Sequence, residues 1–164
     1  MNTNTSKKKQ VAIVTGASSG MGLGITQALL RHGYHVVANS RNISKSRDLK
    51  DSSDLILVDG DISKIESAVK VVDAAIKHFN HIDLLVNNVG IYMPKPFIDY
   101  TPADFELMIG TNVAGYFFII QSGRSNAETK VRTYRGYLNS FGRSAIGRSD
   151  DFAACAHQVH HSRL

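Results

Sequence analysis

From Val11 to about Gln121 the sequence alternates short, continuous apolar runs with segments of helical spacing. "VAIVT", "YHVVANS", "DLILVDG" and "IDLLVNN" read as strands, and the first is almost wholly apolar, as a strand covered on both faces should be. "GITQALLRHG" is helix-like and closes at Gly33, a residue type that often ends helices. Ser63 with Glu66 three residues on predicts a capping box, and Ile65, Ala68, Val69, Val72, Ala75, Ile76 and Phe79 keep one helical face after it. Thr101, Pro102 and Asp104 predict a further helix start, with Phe105, Met108, Ile109, Tyr116 and Ile120 as its apolar stripe. Strands that alternate with helices pair in parallel through right-handed crossovers. The predicted fold class is therefore α/β, a doubly wound, Rossmann-like parallel sheet in one domain.

After Gln121 the pattern stops. Residues 122–164 contain only five Val, Leu or Ile, none adjacent, among Ser, Gly, Arg and His. The sheet is thus expected to be incomplete after the fourth strand and the helix next to it in the chain. The net charge of +5 has the same uneven distribution. Residues 122–164 carry seven Lys/Arg against three Asp/Glu, and Lys7, Lys8 and Lys9 lie near the start, which leaves 10–121 net negative. Basic charge confined to the two ends describes solvated tails, so no nucleic-acid partner is expected. No run reaches membrane-spanning length, and no apolar stretch follows the basic N-terminal residues as in a signal peptide. Cys155 is the single cysteine and cannot form an internal disulfide. These features predict a cytoplasmic protein with no membrane partner.

The turn after the first strand carries the chemistry. Gly16, Gly20 and Gly22 form a Gly-x-x-x-Gly-x-Gly pattern between an apolar strand and a helix. Such a junction aims free backbone N–H groups and the positive end of a helix dipole at one spot. Glycine allows the unusual dihedrals there and leaves no Cβ in the path of a phosphate. Thr15, Ser18 and Ser19 add hydroxyls that can bond phosphate oxygens or cap the helix. At the end of the second strand stand Ser40 and Arg41, with no acid. An acid there would accept bonds from ribose hydroxyls and repel a 2′-phosphate, whereas a guanidinium can pair with that phosphate through two bonds. The cofactor predicted is NADP, with NAD disfavoured. Asp61 and Ile62 follow the third strand at the carboxyl edge, where ligands bind in such sheets. Asn112 falls on the apolar stripe of its helix, where an unpaired amide is costly, so it needs a partner.

"TGASSGMG" resembles the coenzyme-binding motif of the short-chain dehydrogenases/reductases, and "DGDIS" (59–63), "NNVG" (87–90) and "TNVAG" (111–115) continue the resemblance in the family's order. It covers roughly residues 9–121, which gives a disordered basic tail at 1–9, a dinucleotide-binding domain at 10–121 and a non-family, poorly ordered segment at 122–164. The resemblance implies that Gly16, Ser18, Ser19, Gly20 and Gly22 hold the cofactor's phosphates. It implies that Asp61 and Ile62 flank the adenine, that Asn88 and Gly90 lie beneath the adenine ribose, and that Asn112 is the active-site asparagine holding a relay water. It further implies hydride transfer between the nicotinamide and a small carbonyl or alcohol substrate, and a capacity to form oligomers. The family's proton donor is a tyrosine with a lysine four residues later. None of Tyr34, Tyr92, Tyr100, Tyr116, Tyr134 and Tyr137 has that lysine, and Ser140 and Ser144 come after no family-like strand. The chain is accordingly expected to be catalytically incomplete, with a non-catalytic dinucleotide-binding module, a cofactor sensor or interaction protein, as the alternative. The family pattern runs through "AGYFFIIQ" and breaks immediately after it, which predicts that 122–164 is a shifted reading frame of a family sequence. His157 and His161 could share a helix face but have no acidic or cysteine partner in register, so no metal site is predicted.

Overall fold

In the computed structural model, which describes residues 8–125, each apolar run forms a strand: β1 (Val11–Thr15), β2 (His35–Ser40), β3 (Leu55–Asp59) and β4 (Leu84–Val86). The helices are α1 (Gly20–Arg31), α2 (Ile65–Phe79), α3 (Pro102–Ile109) and α4 (Gly115–Ser125), with a π-helical stretch, Gly110–Ala114, joining the last two. All strand pairs are parallel and the order is β3-β2-β1-β4. The expectations for 1–7, and for 122–164 beyond the end of α4, lie outside the described residues, and with them Cys155, His157, His161, Tyr134, Tyr137, Ser140 and Ser144.

β1 is buried along its whole length because it has a partner strand on each edge and helices on each face. Alternation divides the core. Val11, Ile13, Val37, Val58 and Leu85 pack against Ala68, Val71, Val72, Ala75 and Phe79 of α2 and Ile119 of α4. Val14, Val36, Ala38, Leu55 and Val86 pack on the other face with Leu23, Ile25, Leu29 and Leu30 of α1. This is the doubly wound arrangement, with the incomplete sheet ending at β4 among the described residues.

Two local expectations change. Ser63 does not cap α2: Lys64 occupies that position without a side-chain cap, and the Ser63 N–H instead donates to the Asp61 carboxylate at 3.0 Å. A turn over 61–64 delays the helix, and its buried face gains Val71 while Ile65 and Val69 are each 42% exposed. The predicted Thr101–Asp104 capping box is present at the start of α3. Its expected stripe is not, since Phe105 is 59% exposed and Ile109 43%, while Ile119 is the residue buried. The cause is the π turn, in which the Gly115 N–H donates to the Gly110 carbonyl. An i→i+5 turn inserts about one extra residue, and so rotates the apolar stripe of α3 by about 100° relative to that of α4.

The continuous helix Pro102–Gly123 is also, by length and composition, apolar enough to cross a membrane, which corrects the expectation that no segment reaches that length. Asp104, Glu106 and Asn112 interrupt its apolar run and hid it in the sequence. In the fold it docks on α2 through Ile119.

Ile119→Ala should destabilise the chain by about 2–5 kcal/mol in urea titrations, whereas Phe117→Ala, at a partly exposed position, should cost clearly less. A second expectation concerns Asp104, which Lys95, 2.5 Å away, and then Thr101 hold well below the usual carboxylate range. A depressed carboxyl stabilises the fold above its unfolded value of about 3.9 and loses that contribution as pH falls through the folded value. The stability difference between the unmodified chain and Asp104→Asn should therefore be present at neutral pH and shrink in acid below about pH 4.

Candidate functional site

The carboxyl ends of β1 and β4 are laced together by side chains. The Thr15 hydroxyl donates to Asn87 Oδ1 at 3.1 Å and accepts from the N–H groups of Asn88 (3.0 Å) and Val89 (3.3 Å). Asn88 Nδ2 donates in return to the carbonyls of Thr15 and Gly16, each at 3.2 Å. Thr15 is fully buried, so it neither caps α1 nor faces a phosphate, contrary to one reading of its position. The partners of that hydroxyl lie more than seventy residues away in sequence.

These bonds fix the glycine turn. Gly16 has φ +68° and Gly20 φ +54°, the left-handed region. A Cβ on Gly16 would come 2.9 Å from Asn88 Nδ2, and one on Gly22 would come 2.1 Å from the Gly16 carbonyl oxygen. Gly16 and Gly22 are thus required by close packing as well as by any ligand. Gly20 differs, because a Cβ there would meet nothing within 4 Å. The space it leaves open lies at the start of α1. Ser19 precedes that helix with its side chain making no capping bond, and no acid stands in the first turn. Ser18 and Ser19 are exposed. Backbone donors without a side-chain cap, a positive helix end and an open approach together suit an anion such as a phosphate.

Further along the same edge, Ser40 ends β2 and Arg41 is exposed. Asp61 is exposed nearby. Partial burial works against its charge, but bonds from Ser63 and the positive charges of Arg41 and Lys64 outweigh it and hold the carboxyl below its ordinary value. Arg41 and Asp61 therefore share one stretch of the edge. Ile62 is 3% exposed and sits in the core beside α4, where a Cβ on Gly115 would fall 2.9 Å from its Cγ2.

Asn39 was not singled out by sequence reasoning, although a lone amide near the end of an apolar strand was the available signal. It is fully buried, and its Nδ2 donates to the carbonyls of Val58 (2.9 Å) and Gly60 (3.1 Å), tying β2 to the exit of β3. The Ala17 N–H donates to the Asn39 carbonyl at 3.0 Å, joining the glycine turn to the same point. Its Oδ1 and the Nδ2 of Asn87 are buried without a protein partner.

Asn112 has the partner its position demanded. Its Nδ2 donates to the Ile91 carbonyl at 2.9 Å and its Oδ1 accepts from the Ile91 N–H at 2.8 Å. The amide thereby clamps the segment leaving β4, just after Gly90, to the π-helical turn. Among the described residues no three His, Cys, Asp or Glu side chains gather as a metal would need.

Comparison with known proteins agrees with this geometry. A family model described as short chain dehydrogenase matches residues 10–128. A hydroxynaphthalene reductase-like protein of Metarhizium robertsii is 32% identical over 118 residues, covering 68% of this chain and 44% of that protein. The versicolorin reductase of Emericella nidulans is 32% identical over 116 residues, 67% of this chain and 44% of its own. Among solved structures, a 3-ketoacyl-(acyl-carrier-protein) reductase from Brucella melitensis complexed with NADH has a TM-score of 0.64 at 32% identity, covering 68% of this chain and 47% of that one. The chain spans less than half the length of these relatives.

Asn112→Ala leaves both polar groups of the Ile91 backbone without their partner. A loss of about 1–3 kcal/mol in urea unfolding is expected, with faster amide exchange at Ile91 as the local signature.

Proposed function

The chain belongs to the short-chain dehydrogenase family, and on that premise we propose that residues 10–121 form the coenzyme-binding part of an NADP(H)-dependent oxidoreductase of carbonyl and alcohol substrates. The observation that carries the cofactor reading is the pairing, on one sheet edge, of the open approach at Gly20 with an exposed Arg41 and no acid at the end of β2. The turn from Gly16 to Gly22, with Ser18 and Ser19, would hold the pyrophosphate through backbone N–H groups. Ser40 and Arg41 would take the 2′-phosphate, Asp61 and the edge of Ile62 the adenine, and Asn88 and Gly90 the adenine ribose. When bound, the nicotinamide supplies a hydride acceptor or donor.

The chain's own part in the chemistry ends short of proton transfer. Asn112 fixes the backbone at Ile91, just after Gly90. No tyrosine anywhere in the sequence has a lysine four residues later. A bound NADPH would therefore lack its acid, and we read the chain as binding cofactor with little or no turnover. We propose further that 122–164 comes from a shifted reading frame, which the nucleotide sequence across codons 119–125 tests, and that the chain works in the cytoplasm, which cell fractionation tests.

Titration of the purified chain should show tighter binding of NADPH than of NADH. Arg41→Ala should weaken NADPH by about 1.5–3 kcal/mol and leave NADH nearly unchanged. Equal affinities in the unmodified chain would end the NADP assignment. Gly20→Val should abolish binding of both cofactors, because its side chain enters the open approach and its β-branch is strained at φ +54°, while far-ultraviolet circular dichroism is largely retained. A panel of aldehydes and ketones should give no turnover above background, and robust NADPH oxidation would overturn the incomplete-enzyme reading.

A further inference from the structure

Arg41 does not sit on a free loop. Ser40, the residue before it, lies in the sheet in register with Asp59, and its carbonyl accepts from the Gly60 N–H at 3.0 Å. Two residues after it, Ile43 is fully buried in the core and opens the short 3-10 turn Ile43–Lys45. The next residue, Ser44, is fastened to Asp59 twice: its N–H donates to Oδ1 at 2.8 Å and its hydroxyl donates to Oδ2. Lys70 of α2 donates to the Asp59 carbonyl at 3.2 Å and steadies the same residue from the other side. Arg41 and Asn42 are thus a two-residue arch, pinned at one end by the sheet and at the other by Ile43 and the Ser44–Asp59 pair.

We propose that Asp59 is a positioning residue for cofactor selection, holding through Ser44 the arch that presents Arg41 to the 2′-phosphate. The inference rests on the cofactor reading above and adds to it a residue that touches neither cofactor nor substrate. Its chemistry has two parts. A guanidinium pairs with a phosphate through two parallel bonds only where its backbone is fixed, since each bond demands both distance and angle. A pinned arch lowers the ordering cost of that pairing. The second part concerns charge. Asp59 stands beside Ser40, where a free carboxylate would accept ribose hydroxyls and repel a phosphate. Ser44's hydroxyl and N–H occupy one lone pair on each of its oxygens and, with the Ile43 N–H and Lys70 and against a small desolvation cost, keep the carboxyl ionised below its ordinary range. The acid that could favour NAD at this edge is thereby committed to supporting Arg41.

The test is a titration of the full chain with NADPH and with NADH, reading the ratio of the two affinities. Asp59→Ala should lower the NADPH preference about tenfold, through weaker NADPH binding. Asp59→Asn can accept from the Ser44 N–H and donate to its hydroxyl, so it should keep the ratio within about threefold of the unmodified chain. Ser44→Ala removes one of the two bonds and should fall between. An unchanged ratio in Asp59→Ala would mean that the clamp serves stability alone and would overturn the proposal. If that variant does not fold, an unchanged ratio in Ser44→Ala overturns it equally. A rise in NADPH affinity in Asp59→Asn would show the carboxylate repelling the phosphate and would also overturn it. Failure of the unmodified chain to bind either cofactor removes the parent reading and this one together. Loss of preference in Arg41→Ala alone, with both Asp59→Ala and Ser44→Ala unaffected, removes only this one.

Discussion

The Thr15 hydroxyl is the point on which the site depends. It is buried at the end of the central strand, where an unsatisfied group would be costly, and it is satisfied only by groups leaving β4. That requirement brings Asn87, Asn88 and Val89 across the end of β1. Asn88 then reaches the Gly16 carbonyl and leaves no room for a Cβ on Gly16 or Gly22. The glycine turn is therefore shaped from beneath by a hydrogen-bond network. On the other side of β1, Asn39 does the same for the ends of β2 and β3. Thr15, Asn39, Asn87 and Asn88, all buried, tie the carboxyl ends of the four parallel strands into a single edge.

That edge separates two kinds of residue. Gly16, Gly22, Thr15, Asn88 and Asn112 are committed to protein partners, so their substitution disturbs the fold first. Ser18, Ser19 and Arg41 face outward, and changes there test binding with less structural cost, whereas Gly20 has open space around it but a positive φ that strains any side chain. Asp59 and Ser44 form a third kind, which shapes an outward-facing residue without meeting the ligand. Asn39 Oδ1 and Asn87 Nδ2, buried without protein partners among the described residues, lie at this same edge. Polar burial of that sort is expensive, and edges that receive a polar ligand are where it is commonly found.

The helix of α3 and α4 shows how a local irregularity redistributes surface. Phe105, Leu107, Ile109, Val113 and Phe117 are all substantially exposed, while Ile119 alone of its apolar residues reaches full burial. A regular helix would have carried one stripe along its whole length. The π turn at Gly110–Ala114 breaks that phase, and in doing so it brings Asn112 onto the Ile91 backbone. π turns of this kind recur at functional positions because they re-aim side chains without ending the helix.

The alternation of apolar runs and helical spacing determined the four strands, their parallel pairing and the glycine turn between the first strand and helix, because periodicity and backbone chemistry are local properties. The expectation that Asn112 has a partner holds, but not for the reason the sequence offered: the stripe it was placed on is broken by the π turn, and the amide is half-buried against the segment leaving β4. The identity of that partner was not legible, and neither was the commitment of Thr15 to β4, since both depend on groups distant in sequence. Capping at Ser63 failed because a turn held by Asp61 displaced the helix start, and the stripe at Phe105 and Ile109 failed because an i→i+5 turn leaves no mark in residue spacing. The role of Asp59 was hidden most completely. In the sequence it is one acid among several, and only the register of β2 against β3 sets it beside Ser40, where its two oxygens meet Ser44 and pin the loop that carries Arg41.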